Sequence, residues 1–168
     1  MTTRADMLFD AEMSVKYHRR RATFLERASV LMSAALLFGG AAAFASLFGE
    51  GTVIAKGATA LIALIGVIQI VFRVDTCAAQ HRQWLRDWSN MLAEVKRNQN
   101  PSAKEISVWE TRKYEVESDC VGEMRALQED CYNRTMASLG RVGNPIEITR
   151  WQRLWMQLYS FENSFQKN

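Results

Sequence analysis

The sequence predicts an all-helical membrane protein, in which a transmembrane helical hairpin extends into the cytoplasm and two cytoplasmic helices pack back on it. Three observations lead to this fold class. Residues 28–49 carry no charge, a second uncharged run covers residues 57–72, and no proline occurs before Pro101. The hydrocarbon core of a bilayer is about 30 Å thick and needs about 20 apolar residues as helix. The first run meets this length, and the second meets it from residue 52 if Lys56 extends its ammonium group to the headgroups.

Whole-chain averages hide these segments. The 168 residues are 48% hydrophobic and 23% charged, with 21 Lys+Arg against 18 Asp+Glu, and the mean hydropathy is −0.17. This length fits a single domain covering residues 1–168. Nine Gly, two Pro and three Cys exclude collagen-like, low-complexity and disulfide-scaffold proteins. A soluble bundle that buries the same helical hairpin is the alternative that apolar length alone leaves open.

The first predicted helix covers residues 4–48 and contains the first span at residues 28–48. A signal peptide is not expected, because its apolar core would be shorter and closer to the N-terminus. At 1.5 Å per residue the helix is about 70 Å long, so its first half projects from the membrane. That half carries one apolar stripe, formed by Met7, Leu8, Ala11, Val15, Ala22 and Leu25.

Positive residues flank the two spans on one side only. They are Lys16, Arg19, Arg20, Arg21 and Arg27 before the first span and Arg73, Arg82 and Arg86 after the second. The turn between the spans carries only Glu50 and Lys56. The positive-inside rule therefore predicts that both termini lie in the cytoplasm. The net charge of +3 is explained by these flanks, and no nucleic-acid partner is expected.

The second predicted helix covers residues 52–98, with the second span at residues 52–72. Beyond the span, a spacing of 4-3-4-3-4 predicts a coiled-coil seam. The seam consists of Cys77, His81, Trp84, Trp88, Met91 and Val95. We expect subunits to assemble through Trp84, Trp88 and Met91 of this seam, and packing within the chain is the alternative.

Two further helices are predicted in the cytoplasmic part, residues 73–168. Ser102 and Glu105 form a capping box that starts the first of them, which continues past Cys131. A loop follows at residues 140–145, and a last helix from about Glu147 to Phe165 is rich in aromatic residues. We expect its Trp151 and Trp155 to pack on the preceding helices. The alternatives are a helix lying on the membrane or a subunit contact.

Small and polar residues are the informative ones inside the spans. Ala35, Gly39 and Ala43 are four apart and form a ridge that lets another helix approach closely, and we expect subunits to assemble through this ridge. The polar residues are Ser33, Ser46, Thr59 and Gln69, which either bond between helices or line an aqueous path. Two spans cannot enclose a pore, so conduction would require a homo-oligomer.

The sequence offers little catalytic chemistry, and we expect neither an enzyme nor a cofactor. Cys77 and His81 would supply half a metal site, but no second ligand pair has suitable spacing, so no metal is expected. The acidic residues near Glu115 and Glu129 are typical of a solvated helix face with i,i+4 pairs. Arg19, Arg20 and Arg21 are interpreted as a membrane flank, or alternatively as a contact for an anionic signal.

The order of these features resembles the SLATT family, the two-transmembrane effector domains that accompany SMODS nucleotidyltransferases and SLOG sensor domains in prokaryotic conflict systems. The segments that carry the resemblance are Tyr17–Arg21 with Phe24, His81 with Leu85, Glu115 with Glu117, Leu127, Cys131–Asn133, Leu139–Gly140 and Trp151–Leu154. The resemblance covers nearly the whole chain and implies no catalytic residues.

The function implied by the resemblance is that of an anti-phage defence effector in the bilayer. Such a protein assembles and permeabilises or depolarises the inner membrane after a nucleotide messenger or a separate sensor protein signals infection. The alternative is a membrane-anchored helical scaffold or binding module without pore activity. A phage-type lysis protein is a weaker option, because the cytoplasmic part is larger than lysis requires.

Overall fold

The computed structural model describes residues 2–46, 53–118, 124–141 and 143–161. Its elements are α1 (Arg4–Ser46), α2 (Val53–Val71), α3 (Val74–Arg97), α4 (Ala103–Ser118), α5 (Arg125–Ser138) and α6 (Arg150–Trp155). No strand occurs within these ranges, so the all-helical prediction is confirmed.

The long first helix is also confirmed, over the part of it that the structure describes. α1 has 43 residues and is about 65 Å long. It begins in a capping box, because the Asp6 N–H bonds the Thr3 hydroxyl (3.2 Å) and the Thr3 N–H bonds the Asp6 carboxylate (3.0 Å). The stretch Arg4–Ala41 is long and apolar enough to cross a membrane.

The predicted single helix over residues 52–98 is wrong at its middle. α2 ends at Val71, α3 begins at Val74, and the two are bent by 41°. Arg73 lies between them with φ +46°, a left-handed conformation that costs a non-glycine residue about 1–2 kcal/mol. The bend is compensated by tertiary contacts, because Val74 and Ala78 are buried with Leu25 of α1. No proline or glycine marks this break in the sequence.

The helix predicted from Ser102 past Cys131 is also two helices. The capping box is present, with the Ser102 N–H bonded to Glu105 (2.8 Å) and the Glu105 N–H bonded to Ser102 (3.3 Å). α4 ends at Ser118, and Met124 has an extended backbone immediately before α5. The N–H of Met124 donates to the Tyr17 hydroxyl (3.0 Å), so a distant side chain replaces the helical partner.

The last helix is much shorter than predicted. α6 has six residues and starts at a capping box between Thr149 and Gln152 that the sequence analysis did not use. The chain then turns, because the Leu158 N–H bonds the Trp155 carbonyl (2.8 Å) and Phe161 has φ +57°. Phe165 lies outside the described residues. The loop predicted near Gly140 is confirmed, and Gly140 itself has φ +62°.

The chain divides into two compact units. Unit 1 comprises Met1–Arg21 and His81–Asn168, and unit 2 comprises Ala22–Gln80. Unit 1 contains two apolar cores. The tryptophan core consists of Met7, Ala11, Val15, Trp84, Trp88, Met91, Val95 and Trp109, and the second core consists of Tyr17, Ala126, Leu127, Cys131 and Met156. In unit 2, the described contacts join the end of α1 to α2 and the start of α3.

Candidate functional site

The surface of unit 2 is made of large apolar side chains. Among the residues of α1, Val30, Leu31, Leu37 and Phe38 are 67–74% exposed. On α2 and just after it, the exposed ones are Val53, Leu61, Leu64, Val67, Ile70, Val71 and Phe72. Burying one such side chain is worth about 1.5–3 kcal/mol, so this surface is unfavourable in water.

The predicted small-residue ridge brings α1 against α2 within the same chain. A Cβ placed on Gly39 would lie 2.6 Å from Cγ1 of Ile62, so a larger residue there would require the Ile62 side chain to shift. On the other helix, a Cβ on Gly66 would lie 3.2 Å from Cδ2 of Leu36. Ala35 is half-buried, whereas the side chain of Ala43 lies outside the described residues.

One pair of the predicted polar residues is joined in unit 2. Gln69 donates through Nε2 to the hydroxyl of Ser33 (3.1 Å), and its Oε1 is buried without a partner among the described atoms. Thr59 is exposed, and the side chain of Ser46 lies outside the described residues. The position of Gln69 therefore matches the interhelical hydrogen bond, the first of the two roles considered for it.

A second polar contact in unit 2 was missed by the sequence analysis. The hydroxyl of Ser29, which is 7% exposed, donates to the carboxylate of Asp75. Asp75 lies in the first turn of α3, where a carboxylate is favourable to the helix dipole. The position of Asp75 soon after the second apolar run was the signal available in the sequence. It did not indicate that Ser29 is the partner of this carboxylate.

The three arginines before the first span differ in their surroundings. Arg20 donates to Asp130 of α5, and Arg21 donates to the main-chain carbonyl of Gln157. Arg19 is exposed. An anionic ligand at this flank would thus compete with internal partners for two of the three guanidinium groups.

Asp130 is the acceptor for this flank, and it is only 5% exposed. Burial opposes its ionisation, but hydrogen bonds from Arg134 (2.7 Å) and Arg20 outweigh burial and hold the pKa of this carboxyl below its ordinary value. The neighbouring Glu129 is also buried and pairs with Arg125 (2.6 Å). These two carboxylates form the expected i,i+4 pairs, but they are buried and do not belong to a solvated face.

The predicted cytoplasmic seam is divided between the interior and the surface. Trp84, Trp88 and Met91 are 9%, 1% and 2% exposed and pack in the tryptophan core. Trp151 and Trp155 are 63% and 38% exposed and lie against each other, with ring centroids 5.5 Å apart. The first three therefore pack within the chain, whereas Trp151 and Trp155 belong to none of the three apolar clusters of the described residues.

The two histidines meet in unit 1, which the sequence analysis did not predict. Their Nδ1 atoms are 3.0 Å apart, and the ring of Trp84 lies 5.0 Å from His81 and 5.5 Å from His18. Burial and the neighbouring imidazole lower the pKa of His18 to about 3. Burial and the charge of Arg21 lower the pKa of His81 to about 4. The register was the available signal, since His18 continues the α1 stripe between Val15 and Ala22.

The histidine pair lacks the further ligands of a metal centre in the described part of the chain. Within those ranges no group of three or more His, Cys, Asp or Glu residues could hold a metal ion. Cys77 is half-buried, and its thiol contacts the carbonyl of Phe72 (3.6 Å) in unit 2.

Comparison with known proteins gives no relative for this chain. No protein-family model, curated protein or solved structure matches it. The resemblance to the SLATT family therefore stays a prediction from the sequence.

Proposed function

We propose that this chain is a membrane effector of a prokaryotic anti-phage defence system, which oligomerises and permeabilises or depolarises the inner membrane on signalling. The observation that carries the membrane part is the exposed apolar surface of unit 2 on a helix of membrane-spanning length. The effector part rests on the resemblance to the SLATT family.

Two spans with both termini in the cytoplasm form part of the same proposal. α2 has 19 residues, about 28 Å of helix, which matches the hydrocarbon thickness. Judged by length and apolar composition, α2 counts as a second candidate span only together with α3, from which it is bent by 41°. Contacts in unit 2 favour a hairpin, because the contacting residues of α1 and α2 run in antiparallel order. Gly39 faces Ile62, Leu36 faces Gly66 and Ser33 bonds Gln69.

The pattern of polarity in unit 2 also supports a membrane location over a soluble bundle. Two glycines and the Ser33–Gln69 hydrogen bond lie where α1 meets α2, while many of the large apolar side chains of these helices face outward. In lipid, close approach at small residues and interhelical hydrogen bonds replace the hydrophobic effect as the source of helix association. In a soluble bundle the large apolar side chains would lie between the helices instead.

The experiment is expression in bacteria with a potential-sensitive dye, before and after challenge with a panel of phages. We expect depolarisation on challenge by at least one phage, and its loss in Leu37→Lys. Leu37 is 73% exposed near the middle of the first span, where a lysine costs about 2.5–3.5 kcal/mol. The control is Val108→Lys, which places the same charge on an exposed position of α4. Depolarisation that persists in Leu37→Lys would contradict the role of the span.

The second candidate function is a membrane-anchored scaffold or binding module. It is favoured by one observation: residues predicted to join subunits have partners inside the chain, namely Ile62 for Gly39 and the tryptophan core for Trp84, Trp88 and Met91. A protein that is monomeric in lipid nanodiscs and electrically silent under every challenge would be a scaffold. An oligomer that depolarises the membrane would be the effector.

A further inference from the structure

An exposed aromatic patch lies on α6 and the turn after it. It consists of Trp151, Leu154, Trp155, Leu158 and Tyr159, which are 38–69% exposed. The Trp151 and Trp155 rings contact each other, and Tyr159 contacts Phe161 with centroids 4.8 Å apart. Contiguous apolar surface of this kind on a folded unit marks a contact site.

The charged residues within the segment of this aromatic patch, residues 150–161, are both arginines, and Glu147 and Glu162 flank that segment in the sequence. Arg150 and Arg153 are both exposed, and the sequence from 150 to 161 contains no Asp or Glu. Neither arginine forms an ion pair with a carboxylate in the part of the chain that the structure describes. Tryptophan and tyrosine beside arginine are the residues that prefer the boundary between lipid and water, where rings meet the acyl chains and guanidinium groups meet phosphate.

The patch is held against the basic end of the N-terminal segment of unit 1. Met156 is buried in the second core with Tyr17, and its Sδ lies 3.9 Å from a guanidinium nitrogen of Arg20. Arg21 donates to the carbonyl of the next residue, Gln157. In the sequence, Arg21 stands seven residues before the uncharged run begins. The patch is thus attached to the residues that precede the proposed span.

We propose that the aromatic patch is an interfacial anchor, which lies in the headgroup layer of the cytoplasmic leaflet and binds its phospholipids. This inference rests on the proposed membrane span, since the span brings the flank to that leaflet. The patch would hold unit 1 on the membrane surface through its rings, with Arg150 and Arg153 on the lipid phosphates. The charge complementarity favours an anionic leaflet over an apolar pocket of another protein.

The test uses tryptophan emission of the full chain reconstituted in vesicles of phosphatidylethanolamine and phosphatidylglycerol. Trp84, Trp88 and Trp109 are 9% exposed or less, so Trp151 and Trp155 supply the emission that an external quencher can reach. We expect lipid brominated near the glycerol end of its acyl chains to quench this emission, and aqueous iodide to leave most of it. The double variant Trp151→Phe, Trp155→Phe should lose the emission that the brominated lipid quenches. Replacing Arg150 and Arg153 by Gln should weaken the lipid quenching on anionic vesicles and leave it unchanged on phosphatidylcholine.

The position of a second residue pair provides an independent readout. Leu158 and Tyr114 are 62% and 63% exposed in the single chain, but only Leu158 belongs to the patch. The new thiol of Leu158→Cys should react several-fold more slowly with a membrane-impermeant maleimide in vesicles than that of Tyr114→Cys. Equal rates, iodide quenching without lipid quenching, or protection from both quenchers would overturn the anchor; the last result would indicate a protein covering the patch.

The outcome for the span is read separately, by retention of the protein in the vesicles after alkaline extraction. Retention combined with a patch open to iodide would refute the anchor and leave the proposed span standing. Release of the chain by extraction would refute the span, and the anchor that rests on it would be refuted too.

Discussion

Units 1 and 2 are both helical but differ in how many of their large apolar side chains they bury. Unit 1 buries its largest side chains, with Trp88, Met7 and Leu127 almost completely enclosed. Unit 2 exposes many of its large apolar side chains, for example Leu37 and Phe38 of α1 and Leu61 of α2. Glycine contacts and the Ser33–Gln69 hydrogen bond lie between α1 and α2, and a small apolar cluster of Leu25, Val74 and Ala78 joins α1 to the start of α3.

The proposed location of unit 2 in lipid and of unit 1 in water accounts for this difference. In water, burial of apolar area is the main source of stability, and unit 1 follows this rule. In lipid there is no such gain, so helices associate by close packing and interhelical hydrogen bonds, as at Gly39 and between Ser33 and Gln69. Substitutions in the two units should therefore act by different mechanisms, and three measurements can test this.

The largest effect is expected from Trp88→Ala in the tryptophan core. Trp88 is 1% exposed, and removing a buried aromatic ring of this size costs about 3–5 kcal/mol through lost burial and the cavity left behind. The free energy of unfolding of the purified protein in detergent, followed by circular dichroism in denaturant, measures it. Trp151→Ala is the control, because Trp151 is 63% exposed and its loss should change that free energy by about 0.5 kcal/mol or less. Equal losses would mean that the tryptophan core does not stabilise unit 1.

An intermediate effect is expected from acidification, through the His18–His81 pair of unit 1. Both imidazoles have folded-state pKa values, about 3 and about 4, below the unfolded value of 6.5. The unfolded chain therefore binds protons first as pH falls. The contribution of the pair is complete well above pH 6.5 and is lost as pH falls from 6.5, down to about 4 for His81 and about 3 for His18.

For His18 alone the loss from pH 6.5 to pH 5 is of the order of 2 kcal/mol, at about 1.4 kcal/mol per pH unit. His18→Gln removes this titration and should flatten the dependence of the unfolding midpoint on pH in this range. Tyr17, Arg21 and Trp84 surround the pair, and of these Arg21 is charged, which also disfavours the imidazolium form. An unchanged slope in His18→Gln would show that other groups cause the acid sensitivity.

The smallest effect is expected in unit 2, from a matched pair of adjacent glycines. A Cβ at Gly39 would collide with Ile62, whereas a Cβ at Gly40 would meet nothing within 4 Å. Gly39→Ala should therefore lower stability by about 1–2 kcal/mol through overpacking, and Gly40→Ala should be neutral or stabilising because alanine is the better helix former. Thermal unfolding in lipid nanodiscs compares the two. Combining Gly39→Ala with Ile62→Ala should recover the stability that Gly39→Ala alone loses. If stability is not recovered, the close contact of Gly39 is not with Ile62.

Much of the helical content could be predicted from local patterns. The start of α4 depends on Ser102 and Glu105, which are three residues apart, and the loop at Gly140 depends on a residue that tolerates positive φ. The length of α1 follows from a chain without proline and with a long apolar run. These signals lie within a few residues of the structure that they specify.

The breaks at Arg73 and Met124 could not be predicted in the same way. Arg73 has a left-handed backbone although it is not a glycine, and the burial of Val74 and Ala78 with Leu25 stabilises the bend. Met124 is extended next to the Tyr17 hydroxyl, which lies 107 positions earlier in the chain. In both places the deciding contact is distant in sequence, and local patterns carry no information about it.

The candidate site shows the same division. The apolar length of residues 28–49 and the positive charge before it are properties of the sequence, because bilayer thickness and the cost of charge in lipid act on composition directly. Which small residues and polar groups lie between the helices, how Arg20 and Arg21 are occupied by Asp130 and Gln157, and that His18 meets His81 were decided only by the tertiary structure. The physical reason is that solvent selects residues by their chemistry, whereas packing and hydrogen bonding select them by position in three dimensions.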